Sequence, residues 1–133
     1  MTASRRWQPI QLPDLPPPVG PYSPAVRAGD FVYVSGQVPR DPATRELVGR
    51  DVTEQSRAVL ENLRRVLAAA GARMEDVVSV IVYLADENDW GTFNEVYKSA
   101  FSAPFPSRTA VGVQLRDVLV EVSAVAYAPG ESR

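Results

Sequence analysis

The sequence predicts an α+β domain, a single sheet with two helices on one face, in the order β-β-α-β-α-β-β. Three observations carry that reading. Residues 51–71 hold an amphipathic helical stripe, residues 75–86 are a nearly all-apolar β-branched run, and alternating apolar stretches fill 108–115 and 118–127. A chain of 133 residues fits one domain with one core. We divide it into a proline-rich arm over 1–17 and a single domain over 18–133.

The first strand is "DFVYVSG" (30–36), in which bulky residues alternate. "VPRDPATRELVG" (38–49) then reads as a hairpin arm around an Asp-Pro turn. The helix over 51–71 opens on Asp51 and Glu54, a capping-box pair whose acids also suit the positive helix end. Val59, Leu63, Val66, Leu67 and Ala70 form its apolar stripe, and Gly71 is the expected residue past its end. "EDVVSVIVYLAD" (75–86) is a strand covered on both faces. A second helix covers about 89–101, with Trp90, Phe93, Val96, Tyr97 and Phe101 as its inward side. The last two strands join tightly at Arg116-Asp117. Apolar residues on both strand faces, Val80 and Val82 against Ile81 and Tyr83, predict an oligomer, because two helices cover one face only.

Composition removes several chemistries. The chain contains neither cysteine nor histidine, so disulfides, thiolate nucleophiles, Cys/His zinc sites and histidine triads are impossible within it. No clustered acids suggest a metal. Net charge is −2, and no basic block exists beyond Arg5-Arg6 and Arg64-Arg65, which argues against a nucleic-acid partner. No apolar run is long enough to span a membrane. The N-terminus lacks the apolar core of a signal peptide, so a cytoplasmic location is expected.

Two residues invite chemistry. Arg108 stands in "APFPSRTAVGVQL" with no local acid to pair with; it is either a strand-edge charge or a fork that grips a carboxylate. Glu121 sits among valines in "LVEVSAV", costly there unless paired. It serves either an internal salt bridge or a water and its proton. A hairpin joining 108–115 to 118–127 would set Gly112 opposite Glu121 and place 108, 110, 112, 121 and 123 on one face. "GPYSPAV" (20–26) reads as a turn, or as Tyr22 closing a site. Ser35 and Gly36 offer backbone at a strand end. Asn94 is a helical polar residue or a contact to a neighbouring subunit.

The segments "GPYSPAV", "FVYVSGQVP", "FNEVYKSAF", "FPSRTAVGV" and "VEVSAVA", in that order over about 18–127, resemble the RidA (YjgF) family of enamine/imine deaminases. The resemblance implies a bacillus-type chorismate-mutase-like fold and a homotrimer with sites between subunits. It further implies hydrolysis of reactive 2-imino or 2-enamino acids, such as 2-iminobutanoate and 2-iminopropanoate, to 2-oxo acids and ammonia. That is metabolite damage control, and it needs no metal and no cofactor. Arg108 matches the family's carboxylate-binding arginine and Glu121 its water-positioning glutamate. Tyr22, Ser35, Gly36, Asn94 and Ala110 match substrate-binding positions. Gly112, a short turn after "VQL", and Ser123 depart from the common pattern. A binding trimer without turnover, and a family deaminase with a different substrate, are the alternative readings.

Overall fold

The structure is a computed structural model that describes residues 6–130. Residues 1–5 of the expected arm and 131–133 of the expected domain lie outside the described residues. The elements run β1 (Gln8–Ile10), β2 (Ala25–Ala28), β3 (Phe31–Gln37), α1 (Val52–Ala69), β4 (Val77–Leu84), α2 (Trp90–Ala100), β5 (Ser107–Gly112) and β6 (Val120–Tyr127). One six-stranded sheet has the order β1-β2-β3-β6-β4-β5, antiparallel except for the parallel β4–β5 pair. The expected α+β class, with one sheet and two helices on one face, is what the chain adopts.

α1 forms where its caps and stripe predict. The Asp51 carboxylate accepts from the Glu54 N–H at 2.9 Å, and Glu54 accepts from the Arg50 N–H at 2.8 Å. Its other end closes with Gly71 N–H on the Ala68 carbonyl and Ala72 N–H on the Leu67 carbonyl, around Gly71 at φ +79°. Arg27 of β2 adds a tie, donating to the carbonyls of Ala70 at 2.7 Å and Ala128 at 2.8 Å. Thus a cation meets the helix C-terminus although the helix's own last turn has none. Val59, Leu63 and Leu67 share one buried cluster with Val32, Val80, Val82 and Val122. The opposite sheet face is bare and apolar, with Tyr33, Ile81, Val111 and Tyr127 exposed.

Three sequence expectations are corrected. Residues 38–49 make no strand of the sheet; only an isolated bridge joins Arg40 to Leu47. Pro39 and Pro42 lack the N–H a ladder needs, and Arg45 sits at φ +66°. β3 pairs instead with β2, drawn from the segment read as a turn. The Gly29-Asp30 link between them uses φ +60° at Gly29. Second, β5 and β6 are not hairpin partners, because β4 lies between them. α2 is the crossover of a β4–α2–β5 unit, and a crossover of that length lets β5 run parallel to β4. Gly112 therefore faces Leu84, while Glu121 faces Tyr83. Third, Trp90 is not inward: it is 47% exposed at the first residue of α2.

Two substitutions separate core filling from backbone conformation. Leu63→Ala empties a fully buried site and is expected to cost about 3 kcal/mol. Gly71→Ala meets nothing closer than the Arg27 guanidinium at 4.0 Å, so only the left-handed backbone penalises it, by about 1 kcal/mol. Urea midpoints at constant slope would check both values.

Candidate functional site

The alternation of β6 decides where the candidate acid goes. Val120, Val122, Ala124 and Ala126 are buried under the helices, so Glu121 and Ser123 point to the other face. On β3, Val34 pairs with Ala124 and Gln37 with Val122, leaving Ser35 and Gly36 opposite the single residue Ser123. This bulge brings Gly36 against the glutamate. A Cβ on Gly36 would lie 2.0 Å from Glu121 Oε2, so the carboxylate occupies the space a side chain would take. The Glu121 carboxylate makes no hydrogen bond or ion pair among the described residues. Burial without a partner raises its pKa from the ordinary 4.5.

Glu121, Gly36, Ser35 and Tyr22 line one cleft of about 890 Å³. Two buried amides of α1 hold its walls. Asn62 donates to the Val38 and Arg40 carbonyls at 2.9 and 2.8 Å, and Gln55 accepts from the Leu119 N–H at 2.9 Å. The Ser35 hydroxyl donates to the Ser23 carbonyl at 2.6 Å, which fixes the 20–24 loop that carries the exposed Tyr22 ring.

Arg108 is elsewhere. It pairs with Val80, on the helix-covered face, whereas Glu121 pairs with Tyr83, on the bare face. The two are on opposite faces of the sheet, so the shared face inferred from a β5–β6 hairpin is wrong, and Ala110 and Gly112 go with Arg108. The guanidinium carbon of Arg108 lies 4.8, 5.5 and 5.9 Å from the ring centres of Tyr97, Trp90 and Phe93. Three ring faces thus hold the cation, with no ion pair or hydrogen bond on it among the described residues. Its fork of donors is left free. The neighbouring Tyr97 hydroxyl is buried and also unpartnered; burial raises its pKa and the Arg108 charge opposes the rise. Asn94, half-buried, follows Trp90 by one turn on the same helix side.

β5 is an edge strand. Val113 N–H donates to the Leu84 carbonyl at 2.8 Å. By strand alternation the backbone groups of Arg108, Ala110 and Gly112 then turn away from β4, toward the free edge. The candidate residues therefore fall into two groups: Tyr22, Ser35, Gly36 and Glu121 in the cleft, and Asn94, Arg108 and Ala110 at the β5 edge. The aromatic cage was read from the sequence as core. Its signal was aromatics at 90, 93 and 97 shortly before a strand with an unpaired arginine.

A family model described as endoribonuclease L-PSP matches residues 13–128. A RutC family protein of Pyrococcus horikoshii is 48% identical over 114 residues, covering 84% of this chain and 90% of that protein. A mouse protein named 2-iminobutanoate/2-iminopropanoate deaminase is 43% identical over 119 residues, 88% of each. The crystal structure of Escherichia coli TdcF with bound serine superposes with a TM-score of 0.82 at 38% identity, covering 90% of this chain and 98% of that one.

The Glu121 environment has a stability signature. Its folded pKa is raised, so the folded state holds the proton more tightly than the unfolded state. The stability it contributes is whole below pH 4.5 and is lost as pH rises through the folded pKa. Glu121→Gln lacks this loss and is expected to gain Tm relative to wild type across that window, then hold a constant difference. Thermal melts from about pH 4 to 8 read it directly; a Tm difference independent of pH would remove the buried-carboxylate assignment.

Proposed function

The chain belongs to the endoribonuclease L-PSP family, the RidA family, and from that premise we propose that it hydrolyses reactive 2-imino acids at sites completed between subunits. The observation that carries the proposal is the pair of uncommitted charges, Arg108 and Glu121, on opposite faces of one sheet. A single copy cannot bring them to one small substrate. A homotrimer that packs the β5 edge of one copy against the Glu121 cleft of the next would do so. The bare apolar face and the unpaired backbone of β5 support such packing. The mouse relative's name and the serine bound to the bacterial neighbour support a small carboxylate-bearing substrate, such as 2-iminobutanoate or 2-iminopropanoate.

In this reading Arg108 grips the substrate carboxylate with its free fork, and the aromatic cage keeps the guanidinium from swinging. An enamine first gains a proton at C3 and becomes the iminium. Water, held by Glu121, adds through oxygen to C2 as the C=N π pair moves onto nitrogen. Glu121 takes one water proton, passes it to that nitrogen, takes the hydroxyl proton as the C–N bond breaks, and returns that proton to the departing ammonia, which leaves the carboxylate as it began. Products are the 2-oxo acid and ammonium, with no cofactor in the balance. The raised pKa of Glu121 suits both halves of this relay. Gly36 and Ala110 present backbone to the reacting group, Tyr22 covers the cleft, and Ser35 and Asn94 add polar contacts.

The decisive assay generates 2-iminopropanoate with an amino-acid oxidase and follows the fall in semicarbazone trapping. Arg108→Ala is expected to lose on the order of 30- to 1000-fold in kcat/KM, the worth of one charge-assisted contact. Wild-type activity in that variant would end the proposal. Subunit sharing has its own test. Arg108→Ala and Glu121→Ala proteins, each inactive, are unfolded together in equal amounts and refolded. Random trimers then carry an intact Arg108/Glu121 pair at roughly a quarter of their interfaces, and activity returns in that proportion. No recovery on mixing would place both residues in one subunit's site.

A further inference from the structure

The cleft that holds Glu121 has a volume of about 890 Å³ in a single copy, and the neighbour's β5 edge takes part of that space in the assembly proposed above. Its charges also run against those of the whole chain. The protein has net charge −2, yet the cleft is lined by Arg40, Arg45, Arg65 and Arg116 against only Asp41 and Glu121.

Most of these groups are already occupied. The Asp41 carboxylate accepts from the Ala43 and Thr44 N–H groups at 2.8 and 3.0 Å. Arg45 donates to the Pro17 carbonyl and Arg40 to the Arg45 carbonyl, both of which stitch the cleft wall. Arg65 donates to Asn62 and leans on Glu61 at 3.5 Å. Arg116 is different: it carries no hydrogen bond or ion pair among the described residues. It stands on the 113–119 loop that leads into β6, and Gln55 anchors that loop through Leu119 N–H. A free guanidinium therefore lines the same cleft as the Glu121 carboxylate, with Arg40 and Arg65 adding to the local positive potential.

We propose that this cleft selects 2-imino acids with a second carboxylate at the far end of the chain, and that Arg116 is the specificity-determining residue that receives it. The inference rests on the deaminase reading above and names its substrate class: dicarboxylic imino acids ahead of monocarboxylic ones such as 2-iminobutanoate. The reacting end takes Arg108 and Glu121 as already described. The distal carboxylate replaces water on the Arg116 fork, an interaction a monocarboxylic substrate cannot make.

Binding of the product 2-oxo acids tests this without turnover. Calorimetric titration at low salt compares 2-oxoglutarate with 2-oxobutanoate on the wild-type protein, on Arg116→Gln and on Arg116→Lys. Wild type is expected to prefer 2-oxoglutarate by roughly five- to tenfold, a value reduced from that of a buried pair by solvent screening. Arg116→Gln collapses the preference toward unity, and Arg116→Lys keeps part of it. Equal wild-type affinity for the two acids, or a Gln variant that weakens both in step, overturns the proposal. Hydrolysis of 2-iminopropanoate by wild type is assayed alongside. A preference for 2-oxoglutarate without hydrolysis would sink the deaminase reading and leave the distal subsite standing, whereas hydrolysis without preference does the reverse.

Discussion

The two-residue alternation of β6 is the constraint on which the rest of the structure depends. Val120, Val122, Ala124 and Ala126 are all buried and belong to the core cluster that α1 shares. Burying those positions leaves Glu121 no choice of face. β6 is also an inner strand, flanked by β3 and β4, so the glutamate's backbone is held from both sides. The bulge at Ser35–Gly36 then removes the side chain that would exclude the carboxylate. A costly unpaired acid persists because the ladder around it is over-determined.

The cleft and the β5 edge are organised by different parts of the same helical layer. α1 reaches out through Gln55 and Asn62 to hold the loops that wall the cleft. α2 reaches the edge strand through Trp90, Phe93 and Tyr97, which hold a cation while Phe93 and Tyr97 also belong to the buried core. Packing energy thereby becomes positional accuracy at both groups of candidate residues, and neither depends on a loop alone. The exposed Trp90 ring makes sense in that light, since an aromatic at the surface is useful when its face carries a guanidinium.

Much of this was legible in the sequence, and the failure that matters most for the site concerns which strands are neighbours. The stripe of α1, its capping acids and Gly71 are local signals, and they appear where expected. Arg108 and Glu121 stood out because nothing near them in the chain explains a charge among small and apolar residues. Which strands are neighbours is not local. Alternation within 108–115 and 118–127 is satisfied equally by a hairpin and by two strands with β4 between them. The same limit hid β2, where the Pro21 and Pro24 signals outweighed the Gly29-Asp30 hairpin turn that follows. Phe93 and Tyr97 are core as their spacing predicts, and that they also face Arg108 shows only once the strand beside them is placed.

The separation of the two charges has a chemical consequence. A glutamate hydrogen-bonded to an arginine within its own chain would be held ionised, with its pKa lowered, and would be a poor base and a poorer acid. The sheet prevents that pairing in every copy of the chain: one group faces the helices and the other faces away. Glu121 keeps the raised pKa that burial imposes, and Arg108 keeps its donors free. In the proposed assembly the two meet only across a subunit boundary, where the substrate carboxylate takes the guanidinium fork and stands between the charges. The acid is then left to the water. On this view the edge position of β5 is part of the chemistry, because a β5 paired within the chain could not deliver its arginine to another copy's cleft.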